Sequence, residues 1–348
     1  MKNWTQKFAL ALSILAMLFL TACERPPVDS KQTGFRGTGM DQIINPRTNE
    51  QLAKLNELPP PMPSSPDGSK ASAVYKNVKV LGNLSTAQFG AFMVSMTSWV
   101  APNQGCAYCH NVANFADDSL YTKTVARRMI QMNQSINVNW SDHVKTTGVT
   151  CYTCHRGNNI PQNVWFNTAE KRGGNMLGNK NGQNDPLVGS AYASLPNNAF
   201  SSYFVANTGP ARVIGDTALP TGHKASLQST ENVYGVMSHM SRSLGANCTF
   251  CHNSRAFSSW EQSTPQRVQA WYGIQMLKDV NTNFMTPLAS TFPDHRKGQG
   301  GDVAKANCAT CHQGVNKPLY GKSMLQDYPF LAPNNGKPKE GNQVANNQ

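Results

Sequence analysis

Residues 129–155 read MIQMNQSINVNWSDHVKTTGVTCYTCH, and the last five of them decide the fold. Cys151 and Cys154 bracket two residues, and His155 follows at once. In a Cys-x-x-Cys-His pattern both thiols can add to the vinyl groups of a porphyrin while the adjacent imidazole takes the iron from one face. The stretch therefore reads as a place of covalent haem attachment. Met129 and His143, upstream in the same stretch, are potential ligands for the opposite face of an iron.

The pattern occurs three more times, at Cys106-Ala-Tyr-Cys109-His110, Cys248-Thr-Phe-Cys251-His252 and Cys308-Ala-Thr-Cys311-His312. Zinc sites or disulfides could use Cys-x-x-Cys pairs, but neither needs a histidine after every second cysteine. The reading is four covalently attached haem c groups, with His110, His155, His252 and His312 as proximal ligands.

Nine cysteines less eight in the motifs leaves Cys23, which follows Leu20-Thr21-Ala22 as in a lipobox. Lys2 and Lys7 precede an apolar run from Phe8 to Leu20, the layout of an export signal. Its 13 residues are short for a spanning helix, so cleavage before Cys23 and lipidation of its thiol are expected. The expected location is the periplasmic side of a bacterial inner membrane, anchored by lipid. A net charge of +12 would ordinarily suggest nucleic acid, which export argues against. About eight haem propionates would offset much of that charge.

Around the motifs the chain repeats itself. Phe89, Phe92, Met93, Met96 and Val100 fall on one helical face, and Val233, Val236, Met237, Met240 and Leu244 repeat the spacing 144 residues later. A second helix follows each first motif, over 122–136 and 265–280. The offset of 144 holds there too, aligning Ile130 with Ile274 and Asn137 with Asn281. The expected fold is mainly α with few short strands, one of them over 75–81, built as two pseudo-repeats that each carry two haems. The chain then divides into a lipoprotein signal peptide (1–22), a lipid-anchored arm with a short helix over 49–58 (23–70), haem repeat one (71–160), a connector (161–228), haem repeat two (229–331) and a disordered tail (332–348).

A haem that only carries electrons needs its sixth position closed. His223, His239 and His295 are poorly placed by pattern: a Gly-rich connector, a position off the apolar helix face, and a Pro-Asp-His-Arg loop. Met93 and Met237 lie 13 and 11 residues ahead of Cys106 and Cys248, though Met96 and Met240 share their helix faces. Met129 aligns with Gly273, so the fourth haem lacks the counterpart of a ligand open to the second; His143 or Met276 could supply it.

Beyond the motifs, the strings Gly34-Phe35-Arg36-Gly37-Thr38-Gly39-Met40, Val78-Lys79-Val80-Leu81-Gly82, Asn247 to Arg255, Thr264-Pro265-Gln266-Arg267 and Asp302-Val303-Ala304-Lys305 are specific. With them, nearly the whole chain resembles the tetrahaem cytochrome c subunit of purple-bacterial photosynthetic reaction centres. The resemblance implies Met93, Met129 and Met237 as sixth ligands of the first three haems and His143 of the fourth. It also implies a nearly linear wire ordered first, second, fourth, third. Electrons would enter from a soluble periplasmic donor, a cytochrome c or a high-potential iron-sulfur protein. They would leave to the photo-oxidised bacteriochlorophyll pair held by the L and M subunits. The chain would then be an electron carrier and not an enzyme. A multihaem reductase would need an open iron, and a quinol-linked conduit would keep an uncleaved anchor or use bis-histidine haems throughout; the ligand supply and the short signal disfavour both.

Overall fold

The structure, a computed structural model, describes residues 28–33, 40–167, 199–205 and 227–333. The export signal, Cys23, the loop 34–39, His223, most of the connector and the tail beyond 333 lie outside the described residues.

The arm opens with an antiparallel hairpin of β1 (Asp29–Thr33) and β2 (Met40–Ile44), with Asp29 opposite Ile44. Asn45 then caps α1 (Pro46–Leu55), whose proline at the first turn fits a position that needs no N–H. This helix begins a turn earlier than the sequence pattern suggested. The arm is stitched to the body: Gln42 donates to the Gly245 carbonyl, and Leu52 lies where a Cβ on Gly314 would stand.

The strand expected over 75–81 does not form. After α2 (Ala71–Val74) the chain runs through turns and bends, with left-handed Asn77 (φ 63°) and Leu81 (φ 60°). Val78 and Val80 alternate with polar residues, but among the described residues no neighbouring strand supplies hydrogen bonds, and the segment lines a cavity instead.

The helices carry the body. Ser85 and Gln88 form a reciprocal capping box that starts α3 (Thr86–Val100). Next come α4 (Tyr121–Asn139) and the single-turn α5 (Ser141–Val144), while α6 (Cys151–His155) is itself the second motif. In the second half lie α7 (Ala199–Phe204), α8 (Leu227–Leu244), α9 (Pro265–Asp279) and α10 (Cys308–His312), the fourth motif. Past Asp279 the backbone widens into a π-helix over Val280–Met285. Among the described residues no helix is long and apolar enough to cross a membrane.

Of three apolar clusters, the first and third described here join the two halves and the second lies within the second half. Phe92 and Trp99 of α3 and Ile130 of α4 pack with Leu319, Met324, Tyr328 and Leu331 from the far end of the chain. Phe200, Tyr203 and Phe204 of α7 pack with Val236, Met240, Ile274 and Leu277. Between them Ile136 and Val149 meet Met276 and Val280. Full burial of a side chain of this size is worth about 1.5–3 kcal/mol.

Candidate functional site

The motifs come in two local forms. In the first and third, Cys106 and Cys248 open 3₁₀ turns (Gly105–Tyr108 and Cys248–Phe250). Thr122 and Thr264, just before or within the first turn of the following helix, donate to the carbonyls of Tyr108 (2.5 Å) and Phe250 (2.6 Å). The second and fourth are short helices with capping boxes, Thr150 with Thr153 and Asn307 with Thr310. Each of these ends on a left-handed residue, Arg156 or Gln313 (φ 48° in both), followed by a left-handed glycine. The sequence carried this signal, Thr-Cys-His-x-Gly against aromatic-Cys-His-Asn, but a reading centred on cysteines passes over it.

Three of the four motif histidines are oriented from behind by a backbone carbonyl. Nδ1 of His155 bonds the Asn158 carbonyl (2.8 Å), that of His252 the Phe257 carbonyl (3.0 Å) and that of His312 the Val315 carbonyl (3.0 Å). At His110 the buried Nδ1 turns toward the Phe115 carbonyl without closing a well-formed bond. A ring that donates through Nδ1 presents the lone pair of Nε2, the form a metal takes. Burial pushes the basicity of all four down, His312 to about 4, so the rings stay neutral at neutral pH.

The eight motif cysteines are free, with no disulfide among them. Burial raises four of these thiols, Cys109 and Cys251 to about 11 and Cys151 and Cys308 to about 12. Among the described residues no three His, Cys, Asp or Glu side chains converge as a metal-binding cluster, so the zinc geometry is not built.

One continuous cavity of about 1060 Å³ runs past three of the motifs. It exceeds the range of roughly 300–1,000 Å³ usual for a single small-molecule site. Cys106, Cys109, His110, Cys151, Cys154, His155, Cys308, Cys311 and His312 line it, as do Met93, Met129 and His143. The wall is mostly apolar, with Phe89, Val100, Ile130, Ile136 and Leu277 among its residues. Large flat apolar groups bonded to those cysteines fit such a wall.

His143 faces His312, with ring centroids 6.0 Å apart and planes at 68°. Two imidazoles on opposite sides of one metal, each bonded at about 2.0–2.1 Å, place their centroids a little over 6 Å apart. Met276, the competing candidate, is 8% exposed and sits in the apolar cluster with Ile136, Val149 and Val280, although it also borders the cavity.

The third motif stands apart: Cys248, Cys251 and His252 do not line this cavity. Met237 is half-buried against the α7–α8 cluster, whereas Met240, one turn on, is buried and borders the cavity. His239 is 2% exposed, packed on Phe200 (4.5 Å between centroids), with Ser243 bonded to its Nε2. That makes it a core histidine with its metal-binding nitrogen engaged. His295 is exposed in the turn Asp294–Arg296.

A family model described as photosynthetic reaction centre cytochrome C subunit matches residues 24–332, which takes in all four motifs. The chain belongs to that family. It is 50% identical over 327 residues to the photosynthetic reaction center cytochrome c subunit of Rubrivivax gelatinosus, covering 93% of this chain and 89% of that one. The protein of the same name from Thermochromatium tepidum is 44% identical over 322 residues (92% and 79%), and that from Roseobacter denitrificans 41% over 320 (87% and 85%). Haem c is accordingly the cofactor of this reaction-centre cytochrome family, and the oriented histidines, free cysteines and apolar cavity fit it.

Proposed function

We propose that this chain re-reduces a photosynthetic reaction centre, passing single electrons through four c-type haems from a soluble periplasmic donor to the oxidised bacteriochlorophyll pair. The observation that carries this reading is the set of four Cys-x-x-Cys-His motifs, three with Nδ1 committed to a backbone carbonyl and the fourth turned toward one, in a chain that matches the reaction-centre family over 24–332.

The protein's part is placement. His110, His155, His252 and His312 would hold the irons, and the eight motif cysteines would bind the macrocycles. Met93, Met129 and Met237 would hold three of the irons and His143 the fourth; sites closed in this way would exclude substrate and keep reorganisation small. When bound, the haems supply the one-electron chemistry. The two pseudo-repeats are supported by the offset of 144 and by matching hydrogen bonds at Tyr108 and Phe250. Lipidation of Cys23, a periplasmic position, docking on the L and M subunits and a cytochrome c or high-potential iron-sulfur donor complete the reading.

Flash-induced absorbance changes on native membranes test it. Oxidation of a haem α-band within microseconds, matched by recovery of the bacteriochlorophyll pair and lost on deletion of this chain, is expected. Unchanged recovery of the pair without the chain would refute the role.

A further inference from the structure

His143 comes from the first half of the chain, yet its ring lies in a notch on α9 of the second half. The notch exists because residue 273 is glycine: a Cβ there would stand 2.7 Å from Cε1, 3.1 Å from Nδ1 and 3.2 Å from Nε2 of His143. One turn earlier on α9, the Gln269 carbonyl accepts from Nδ1 of the same ring at 2.8 Å. The backbone that carries the ring is also held. The ring sits on the single turn α5, and Trp140, the residue before that turn, ties it to α9 by donating from Nε1 to Asp279 at 2.7 Å while its carbonyl accepts the His143 N–H at 2.8 Å.

Gly273 also occupies the place of Met129 in the aligned helix of the first half. In the first half that position carries a side chain that lines the cavity, and in the second it is vacated for an imidazole brought from the other half. We propose that Gly273 is a positioning residue, whose missing side chain and neighbouring Gln269 carbonyl fix the plane of the His143 ring against that of His312. The inference rests on the reading of His143 and His312 as the two axial ligands of one haem. The angle between axial imidazole planes governs the g-anisotropy of a low-spin ferric haem, so the notch has a spectroscopic consequence separate from electron transfer.

The test is Gly273→Ala in the full chain assembled in its complex, read by ferric EPR and redox titration beside His143→Met. The alanine variant is expected to shift the largest g value of one haem and leave the other three signals in place. The haem affected should be the one whose potential His143→Met raises. A Gly273→Ala spectrum superimposable on the parent, with His143→Met altering one haem, overturns the proposal while leaving the ligand reading intact. If His143→Met perturbs no haem, the ligand reading falls and the proposal with it.

Should Gly273→Ala fail to accumulate, His143→Gly with and without Gly273→Ala removes the clash and opens the site to added imidazole. At least tenfold weaker imidazole binding in the double variant is expected. Equal affinity in the two would overturn the positioning role.

Discussion

Asn281 holds both backbone groups of Ala306: its Oδ1 accepts the Ala306 N–H at 2.8 Å and its Nδ2 donates to the Ala306 carbonyl at 2.9 Å. Asn137 grips Val149 in the same way, at 2.7 and 2.9 Å. Ala306 and Val149 each stand two residues ahead of a motif cysteine, Cys308 and Cys151. Both asparagines are buried; the Ala306 carbonyl also accepts from Trp165 Nε1 at 2.9 Å and keeps that partner when Asn281 is lost, whereas the Ala306 N–H rests on Asn281.

Asn281→Ala and Asn137→Ala should therefore each destabilise the protein by about 1–3 kcal/mol for every peptide group left unpaired. Guanidinium denaturation followed by far-ultraviolet circular dichroism measures it. A midpoint unchanged in both variants would show that the clamps are dispensable.

Two methionines of α8 compete for the haem proposed at the third motif. Met237→His is expected to lower the potential of one haem on the order of a tenth of a volt, a fraction of the roughly 0.8 V that axial ligands span. Met240→His, at a buried core position, should cost stability and leave that potential in place. A redox titration in which only the Met240 variant moves a haem would assign Met240 instead.

Asp118 gathers Lys79, Lys123 and Arg127 at 2.9–3.0 Å beside the loop after the first motif. The hydrogen bond from Arg127, followed by those from Asn77 and Lys79, holds its carboxyl well below the usual carboxylate range. A carboxyl depressed in the fold stabilises above its unfolded value of 3.8 and loses that contribution as pH falls below it. Asp118→Asn should lower stability at neutral pH and flatten the acid limb below about pH 4. Parallel pH–stability curves for parent and variant would show that the cluster contributes nothing.

Arg156 ties the arm to the second motif, donating to the Leu55 carbonyl, to Asn56 Oδ1 (3.3 Å) and to the Thr153 carbonyl (3.1 Å). Hydrogen bonds to a charged group are worth about 1.5–3 kcal/mol. Arg156→Ala should speed amide exchange and proteolysis within residues 46–58 while haem content stays complete. Exchange at the parent rate would place the arm's attachment elsewhere, at Leu52 or Gln42.

Much of the site is local, which is why it was legible in the sequence. A Cys-x-x-Cys-His pattern declares its chemistry within five residues, and the helix faces of Phe92 and Val236 declare theirs within eleven. The alignment of Asn137 with Asn281 and of Met129 with Gly273 also came from spacing alone, although their meaning required the fold. What could not be read depends on distant partners. Val78 and Val80 have strand-like alternation, and only the absence of a neighbouring strand in the described fold leaves the segment irregular. Tyr328 and Leu331 carry no periodic pattern, yet they are 2% and 0% exposed in the first core. Likewise nothing in the spacing of Met237 and Met240 foretold that the second would border the cavity.

That first core has a bearing on how the protein is made. Ser95 and Tyr328 share a buried hydrogen bond of 2.9 Å across a sequence separation of 233 residues, and Asn137 bonds the Leu331 carbonyl across 194. Domains usually fold as units from the N-terminus during synthesis. Here the first-formed helices cannot complete their packing until the segment around Tyr328 has been made. The first half therefore waits unsealed while later segments are still being delivered, so Cys106, Cys109, Cys151 and Cys154 remain open through most of the chain's synthesis.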